Sequence, residues 1–225
     1  MAITHHVWKL LRPEISGSVL TLGRQHWCTP GDTLESRGFC EPHLLKAGAT
    51  SVHSMDVSPQ EGASLVHDLN QPVNPSLHHA YNHIFDGGTL EHVFNVATAL
   101  ESVRTMIKLG GTFASCQIGN LSGHGFWSIS PEALISWALA NGFSNLRCLA
   151  SRIGPAARWR ELPVHGQNRL EISTILPFYY FFRATKTREI SATPAQCGPT
   201  LMPAFPFWSH HVRLWRYPTT TSRQS

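Results

Sequence analysis

The sequence lacks the features of a disulfide-rich, zinc-ribbon or nucleic-acid-binding protein. Charged residues make up only 14% of its 225 residues, and its formal net charge is +4. The basic residues are scattered rather than clustered, so we expect no nucleic-acid partner. The cysteines are odd in number and no pair has C-x-x-C spacing, which favours reduced thiols over disulfides or structural zinc. They are Cys28, Cys40, Cys116, Cys148 and Cys197.

Long apolar runs are also absent. Residues 1–12 lack the apolar core of a signal peptide, and no stretch of about 18 apolar residues could span a membrane. We therefore expect a cytoplasmic protein with no membrane partner. With 42% hydrophobic residues, residues 1–225 should form a single domain. Residues 190–225 are rich in proline and aromatic residues and could form a lid or C-terminal extension, and the oligomeric state stays open.

Segments with strand and helix patterns alternate along the chain. Helices are predicted from Val7 to Ile15 with an interruption at Pro13, and at residues 41–47, 93–108 and 130–140. We expect Gly110 and Gly111 to cap the third helix. Strands are predicted at residues 18–22, 51–55, 64–66, 112–118, 146–151 and 172–183, with a further strand ending at Phe85. This alternation predicts a doubly wound α/β fold, whose mostly parallel seven-stranded sheet carries helices on both faces.

Polar residues and glycines follow the first four predicted strands. They are Gly23, Asp56, Asp68 and the Asp86-Gly87-Gly88 turn. In open parallel sheets ligands bind beyond the carboxyl ends of the strands. A glycine there admits backbone N–H groups to a ligand, and carboxylates can accept hydrogen bonds from ribose hydroxyls or an adenine amine. Either Asp56 or Asp68 could instead be a turn residue without a ligand. No G-x-G-x-x-G or G-x-x-x-x-G-K-[ST] motif is present, which argues against NAD-type and ATP-type cofactors.

Residues 85–113, FDGGTLEHVFNVATALESVRTMIKLGGTF, resemble the class I S-adenosylmethionine-dependent methyltransferases. The segments LVHDLNQPV (65–73) and GHGFWSISPEAL (123–134) resemble a bacterial subgroup of that superfamily. The resemblance implies S-adenosylmethionine as cofactor, with Asp56 at the ribose and Asp68 at the adenine. The family's glycine-rich turn keeps only its first glycine here, and Arg24 could reach the cofactor carboxylate instead. The cofactor-binding residues are therefore expected to be Gly23, Arg24, Asp56, Asp68, Leu69, Asp86, Gly87 and Gly88.

Four residues are the candidates for contact with the reacting groups. They are His92, Asn120, His124 and Tyr180. His92 is the candidate general base, and the ring of Tyr180 or of Tyr179, which point to opposite faces of a strand, would attract the sulfonium by cation–π interaction. Glu91 and His92 are adjacent, so we expect only one of them to point into the site. Glu91, His92 and His124 could be imagined as metal ligands, but no H-E-x-x-H motif is present and no i, i+4 histidine pair includes His92 or His124, so we expect no metal.

Three functions remain open at this point. The first is methyl transfer from S-adenosylmethionine to a small-molecule acceptor, as in secondary metabolism. The second is cyclisation of the cofactor's aminobutyrate chain to a small cyclic amino acid of the azetidine-2-carboxylate type, with release of methylthioadenosine. The third is a non-catalytic binding module, suggested by the eroded glycine-rich turn.

Overall fold

The structure is a computed structural model that describes residues 2–28, 38–121, 123–152, 158–162, 164, 168–173, 177–194 and 211–216. The helices are α1 (His5–Leu11), α2 (Glu41–Ala47), α3 (Val96–Met106) and α4 (Pro131–Ala140). Short 3₁₀ helices lie at Arg12–Glu14, Pro75–Leu77 and Leu90–His92. The strands are β1 (Ala2–Thr4), β2 (Gly17–Leu22), β3 (His26–Cys28), β4 (Ala49–Asp56), β5 (Leu65–Val66), β6 (Tyr81–Asp86), β7 (Ile107–Ile118), β8 (Phe143–Arg152), β9 (Arg160–Leu162), β10 (Asn168–Ser173), β11 (Phe178–Lys186) and β12 (His211–Arg216).

The central sheet has the strand order β5-β4-β2-β6-β7-β11-β8-β9. The strands from β5 to β7 pair in parallel, whereas β11 runs antiparallel to both of its neighbours, β7 and β8. The seven predicted strands are therefore present, and β9 adds an eighth at the edge. Because the parallel strands point the same way, Gly23, Asp56 and Asp86 come to the same edge of the sheet.

Two hydrophobic clusters lie on opposite faces of this sheet, because neighbouring residues of a strand point to opposite sides. Leu20, Ile84 and Phe113 pack with α3 and α4 on one face. Val19 and Phe85 pack with α1 and α2 on the other. The doubly wound α/β architecture is thus confirmed.

The helix boundaries follow local chemistry at α1 and α4. At α1 the chain passes into a 3₁₀ turn at Pro13, as predicted. At α4 the Ser130 hydroxyl accepts a hydrogen bond of 3.2 Å from the Ala133 N–H, and Pro131 occupies the first helical position.

The predicted glycine cap of α3 is wrong. The helix ends at Met106, and β7 begins at once with Ile107, so Gly110 and Gly111 lie inside the strand. Tyr81 pairs with Ile107 but His83 pairs with Thr112, which places both glycines in a bulge. Pairing with β6 therefore decides where the helix ends.

The run predicted as one strand over residues 172–183 is divided between two sheets. Its first part belongs to β10, which pairs with β12 in a separate antiparallel sheet. Its second part belongs to β11 in the central sheet. Most of residues 190–225 lies outside the described residues, so the single domain and the lid stay predictions. In the part of the chain that the structure describes, no helix is long and apolar enough to cross a membrane.

Candidate active site

Gly23 stands at the turn that leaves β2, in a backbone conformation that favours glycine. Its φ is +68°, and a Cβ there would lie 2.5 Å from the Thr89 Oγ1 atom. The Gly23 N–H donates to the Met55 carbonyl at 2.7 Å, and the Thr89 hydroxyl donates to the Leu22 carbonyl at 2.8 Å. These bonds tie the turns after β2, β4 and β6 together.

Asp56 and Asp68 lie beside this turn and both accept backbone hydrogen bonds. The Asp56 carboxylate accepts from the N–H groups of Arg24 (3.3 Å) and Ser58 (3.0 Å). The Asp68 carboxylate is exposed and accepts from the backbone and side-chain amides of Asn70, at 2.9 and 2.8 Å. The pKa of Asp68 is lowered by these two bonds. Each carboxylate oxygen has two lone pairs, so both groups keep capacity to accept from a ligand.

The next residue, Leu69, is 5% exposed and belongs to the main hydrophobic cluster. Its side chain is therefore part of the core.

Arg24 makes its ion pair within the chain. Its Nε lies 3.0 Å from a Glu41 carboxylate oxygen, and its guanidinium stacks 3.7 Å above the Phe39 ring. It also donates to the Glu61 carbonyl. Arg24 was expected to pair with the carboxylate of the cofactor, but in the structure it pairs with the carboxylate of Glu41.

Asp86 is fully buried and organises the turn after β6. One carboxylate oxygen accepts from the N–H groups of residues 88–90, the shortest bond being 2.7 Å from Thr89. The other accepts from the Ser115 hydroxyl at 2.8 Å and from the Gln117 amide. Burial raises the pKa of Asp86, although these hydrogen bonds act in the opposite direction. Asp86 thus fixes the path of the chain into the 3₁₀ helix Leu90–His92.

The glycines that follow Asp86 leave no room for side chains. A Cβ on Gly87 would lie 2.3 Å from the Gln25 Oε1 atom, and Gly88 has a φ of +95°. The Gln25 Nε2 group donates to the Leu22 carbonyl at 2.7 Å. Its Oε1 atom is buried and has no hydrogen-bond partner among the described residues.

Glu91, His92 and His124 form a cluster at this edge of the sheet. The His124 Nε2 atom is 3.6 Å from a Glu91 carboxylate oxygen, and the His92 and His124 ring centroids are 5.3 Å apart. One ligating atom from each residue lies within 4.8 Å of the other two. The expectation that only one of Glu91 and His92 points into the site is wrong, because His124 approaches both.

The electrostatics of the cluster are dominated by burial. Glu91 is 3% exposed, and burial together with the nearby Asp86 raises its pKa to about 8. Burial and His124 lower the pKa of His92, although its side chain is partly in solvent. Burial therefore favours the neutral forms of the Glu91 carboxyl group and the His92 imidazole.

Two further predicted residues differ in position. Tyr180 is completely buried in the main hydrophobic cluster, and its hydroxyl donates to the Ile129 carbonyl at 2.7 Å. The expectation that Tyr180 faces the cofactor is therefore wrong, because its ring and hydroxyl are both occupied by the core. Asn120 follows β7, and its side-chain oxygen accepts from the Phe178 N–H at 3.1 Å.

The sequence predicted no role for Gln25 or Thr89, placed Gln117 at the end of a strand without a role, and left Glu91 uncommitted. Gln117 is 1% exposed, and its Oε1 atom is buried with no hydrogen-bond partner in the described ranges. The L-E-H-V segment drew attention to His92 rather than to Glu91. The sequence did contain a signal for Glu91, because this acidic residue directly precedes His92 in the L-E-H-V segment.

Comparison with known proteins bears on the fold. No protein-family model matches the chain, and no curated protein matches it. Among solved structures, the 1,6-didemethyltoxoflavin-N1-methyltransferase of Burkholderia thailandensis is 15% identical with a TM-score of 0.50. The match covers 82% of this chain and 78% of that one, which was solved with 1,6-didemethyltoxoflavin and S-adenosylhomocysteine. A candidate methyltransferase from Bacillus halodurans is 10% identical with a TM-score of 0.50, covering 80% and 98% of the two chains.

These likenesses and the strand order show that the chain has the fold of the class I S-adenosylmethionine-dependent methyltransferases. The fold that the resemblance of residues 85–113 implies is confirmed.

Proposed function

We propose that the protein binds S-adenosylmethionine and transfers its methyl group to a small-molecule acceptor. The observation that carries this proposal is the convergence of Gly23, Asp56, Asp68 and the Asp86–Gly88 turn at the carboxyl edge of a sheet with the methyltransferase strand order. The Burkholderia neighbour, which has this fold, was solved with the demethylated cofactor and a small heterocycle.

The proposed cofactor contacts use two acceptors with free lone pairs, the partly exposed Asp56 and the exposed Asp68. Asp56 would accept from the ribose hydroxyls, and Asp68 would accept from the exocyclic amine of adenine, while Gly23 lets the backbone approach the ligand. Asp86 acts as a positioning residue, because both of its oxygens already hold protein donors. Gly87 and Gly88 keep the turn free of side chains.

The acceptor would enter above Glu91, His92 and His124. A sulfonium needs no activation, so the main contribution of the protein is to hold the nucleophile in line with the S–CH₃ bond, worth roughly 7–11 kcal/mol. His92 is the proposed general base, because its lowered pKa keeps the imidazole neutral and able to accept a proton. Asn120 and His124 would contact the acceptor from the loop that follows β7.

An aromatic patch borders this entrance. Phe94 and Phe126 are each 66% exposed and lie 5.6 Å apart in an edge-to-face arrangement. Trp127 lies 5.8 Å from Phe94. Exposed aromatic rings beside a site provide a surface for a planar or apolar ligand. The proposed acceptor is therefore a small molecule with a ring or apolar part, as well as the atom that is methylated.

The binding part of the proposal is tested by calorimetric titration with S-adenosylhomocysteine. Replacing Asp56 by Asn should weaken binding about 10- to 100-fold, as expected for loss of a hydrogen bond to a charged group. Glu101→Gln is the matched control, because Glu101 is an exposed carboxylate paired with Arg104 on α3. Absence of binding to the wild type, or equal affinities for wild type and Asp56→Asn, would contradict the proposed pocket.

The reaction is tested with methyl-labelled S-adenosylmethionine and a panel of small aromatic acceptors. Methyl transfer gives S-adenosylhomocysteine only when an acceptor is present. Methylthioadenosine formed from the cofactor alone would instead indicate cyclisation of the aminobutyrate chain. Binding of the cofactor with formation of neither product would favour the third alternative, a non-catalytic binding module.

A further inference from the structure

We propose that Glu91, His92 and His124 form a binding site for one divalent transition-metal ion of the zinc type. The two histidines and the carboxylate come from the 3₁₀ helix Leu90–His92 and from the loop that leads to α4. No residue of the site is used by the adenosine contacts proposed above, so the site does not depend on cofactor binding.

The distances among the three side chains fit a metal more closely than a hydrogen-bonded cluster. Zinc binds histidine nitrogens and carboxylate oxygens at about 2.0–2.2 Å, so two ligands on a tetrahedral ion lie roughly 3.4 Å apart. The Glu91 oxygen and His124 Nε2 are 3.6 Å apart, and all three ligating atoms lie within 4.8 Å. Small rotations of His92 and His124, which are both partly exposed, would bring them into range.

The buried atoms of the cluster need a partner that the described chain does not supply. Both Glu91 carboxylate oxygens and the His124 Nε2 atom are buried with no partner within hydrogen-bonding geometry among the described residues, although the nearby Gln117 side chain counteracts part of the rise in the Glu91 pKa. Glu91 is 97% removed from solvent, with 3% exposed. A buried carboxyl group without a partner is costly, and one cation between Glu91 and His124 would give both residues a partner.

The backbone also holds Glu91 firmly in place. Its carbonyl accepts from the Trp127 N–H at 3.2 Å, and a Cβ on Gly125 would lie only 2.6 Å from that carbonyl oxygen. The loop carrying His124 is thus packed directly against the residue that supplies the carboxylate. Such a fixed backbone around the ligands is expected of a site whose coordination geometry is set by the protein.

The donor set indicates the class of metal. Two imidazoles and one carboxylate suit zinc and other first-row transition ions better than calcium or magnesium, which prefer oxygen ligands throughout. Three protein ligands leave at least one position on the ion for water or another oxygen ligand. If the proposed methyl transfer holds, that ligand is an acceptor hydroxyl. The ion would then lower the hydroxyl's pKa in place of His92 as the general base.

The test is zinc binding by the full chain after removal of metals with a chelator, without S-adenosylmethionine. Equilibrium dialysis against zinc should give one tight site per chain. Loss of a second-shell partner weakens metal sites about 10- to 100-fold, so Glu91→Gln and His124→Asn should weaken zinc binding at least that much. His92→Asn should have the same direction of effect.

His79→Asn is the matched control because the chain contains fourteen histidines. His79 lies 3.5 Å from Glu189, the same pairing at a similar distance, but both side chains are about half exposed and Lys186 already contacts Glu189 at 2.9 Å. The control should keep the tight site. Cobalt substitution gives a second readout, because visible bands without thiolate charge transfer are expected for a site that lacks cysteine.

Each outcome decides the proposal. Zinc retained equally by the wild type, Glu91→Gln and His124→Asn would overturn it, as would a wild type that retains no zinc. Because Gln has the shape of Glu and is uncharged, Glu91→Gln should fold, and its melting temperature checks this. S-adenosylhomocysteine titration of the metal-free protein is the separate readout of the proposed function, so zinc binding without cofactor binding would contradict only that proposal.

Discussion

Asp86 gives the sharpest test of how the candidate site is built. Replacing it by Ala would leave the N–H groups of residues 88–90 without an acceptor, together with the donors of Ser115 and Gln117. Each unsatisfied buried donor costs about 1–3 kcal/mol, but water entering the cavity would satisfy some of them. We expect Asp86→Ala to lower the free energy of unfolding by about 3–5 kcal/mol.

Asp86→Asn should cost much less, about 1–2 kcal/mol. The amide oxygen can still accept from residues 88–90, while its NH₂ group donates to the rotatable Ser115 hydroxyl. Gln117 can turn its amide over, so that its unpartnered Oε1 accepts from the new donor. What is lost is the present arrangement of five donors, because Asn can accept through only one of its two terminal atoms.

The pH dependence gives a second measure of the same contacts. Burial raises the pKa of Asp86 above its ordinary value of 3.8. A carboxyl with a raised pKa in the folded state makes the fold less stable as pH rises from that ordinary value through the folded one. Asn does not titrate, so the stability difference between wild type and Asp86→Asn should shrink as pH increases.

Urea unfolding followed by circular dichroism, repeated from pH 4 to pH 8, measures both effects. Equal losses of stability in the Ala and Asn variants would refute the assignment of five hydrogen bonds to this carboxylate. A loss below about 1 kcal/mol in Asp86→Ala would do the same. Zinc binding should survive in Asp86→Asn and weaken in Asp86→Ala, because the turn after β6 positions Glu91 and His92.

Three further predictions concern single contacts. Gly23→Ala should lower the free energy of unfolding by about 1–3 kcal/mol and weaken S-adenosylhomocysteine binding, because the φ of Gly23 is +68° and the new Cβ would meet Thr89. Urea unfolding and calorimetric titration measure the two effects, and a variant with unchanged stability and affinity would contradict the turn geometry. Tyr180→Phe should lower the free energy of unfolding by about 1 kcal/mol through loss of the hydrogen bond to Ile129, while ligand affinity stays unchanged. A large loss of affinity would show that Tyr180 does contribute to the site. Ser130→Ala should cost about 1 kcal/mol by removing the α4 cap, with Ser130→Asp, which restores a capping oxygen, as the control in urea unfolding.

The order of the elements could be predicted because each depends on a short-range pattern. The helix at residues 41–47 has the predicted bounds, and Ser130-Pro131 marks the start of α4. The errors arose where pairing between distant segments decided the outcome. Gly110 and Gly111 are typical of a helix end, yet β6 draws the chain into a strand from Ile107 onward. Residues 172–173 similarly pair with a segment far along the chain rather than with the central sheet.

The sequence locates two acidic residues at strand ends of the candidate site, but it does not tell which of them is free to bind a ligand and which holds the protein structure. Asp56 and Asp86 each follow a strand and carry the same carboxylate. In the structure Asp56 is partly exposed and keeps lone pairs free, whereas Asp86 is buried with both oxygens holding protein donors. The two residues differ because the strand ends have different surroundings. Asp86 receives donors from β7 and from the turn that follows β6.

The same reasoning separates the residues that build this edge from those available to ligands. Hydrogen-bonded groups such as Asp86 and Tyr180 have their capacity used within the chain, so they hold the turn and the core. The Glu91 carboxyl oxygens and the His124 Nε2 atom are buried, and their hydrogen-bonding capacity is unused among the residues that the structure describes. Glu91 and His124 are 33 positions apart in the sequence, and the packing of Gly125 against Glu91 and the hydrogen bond from the Trp127 N–H to the Glu91 carbonyl bring them together. Leaving such buried groups without a hydrogen-bond partner is costly. Their presence at the open edge of the sheet therefore favours a bound partner over a role in packing.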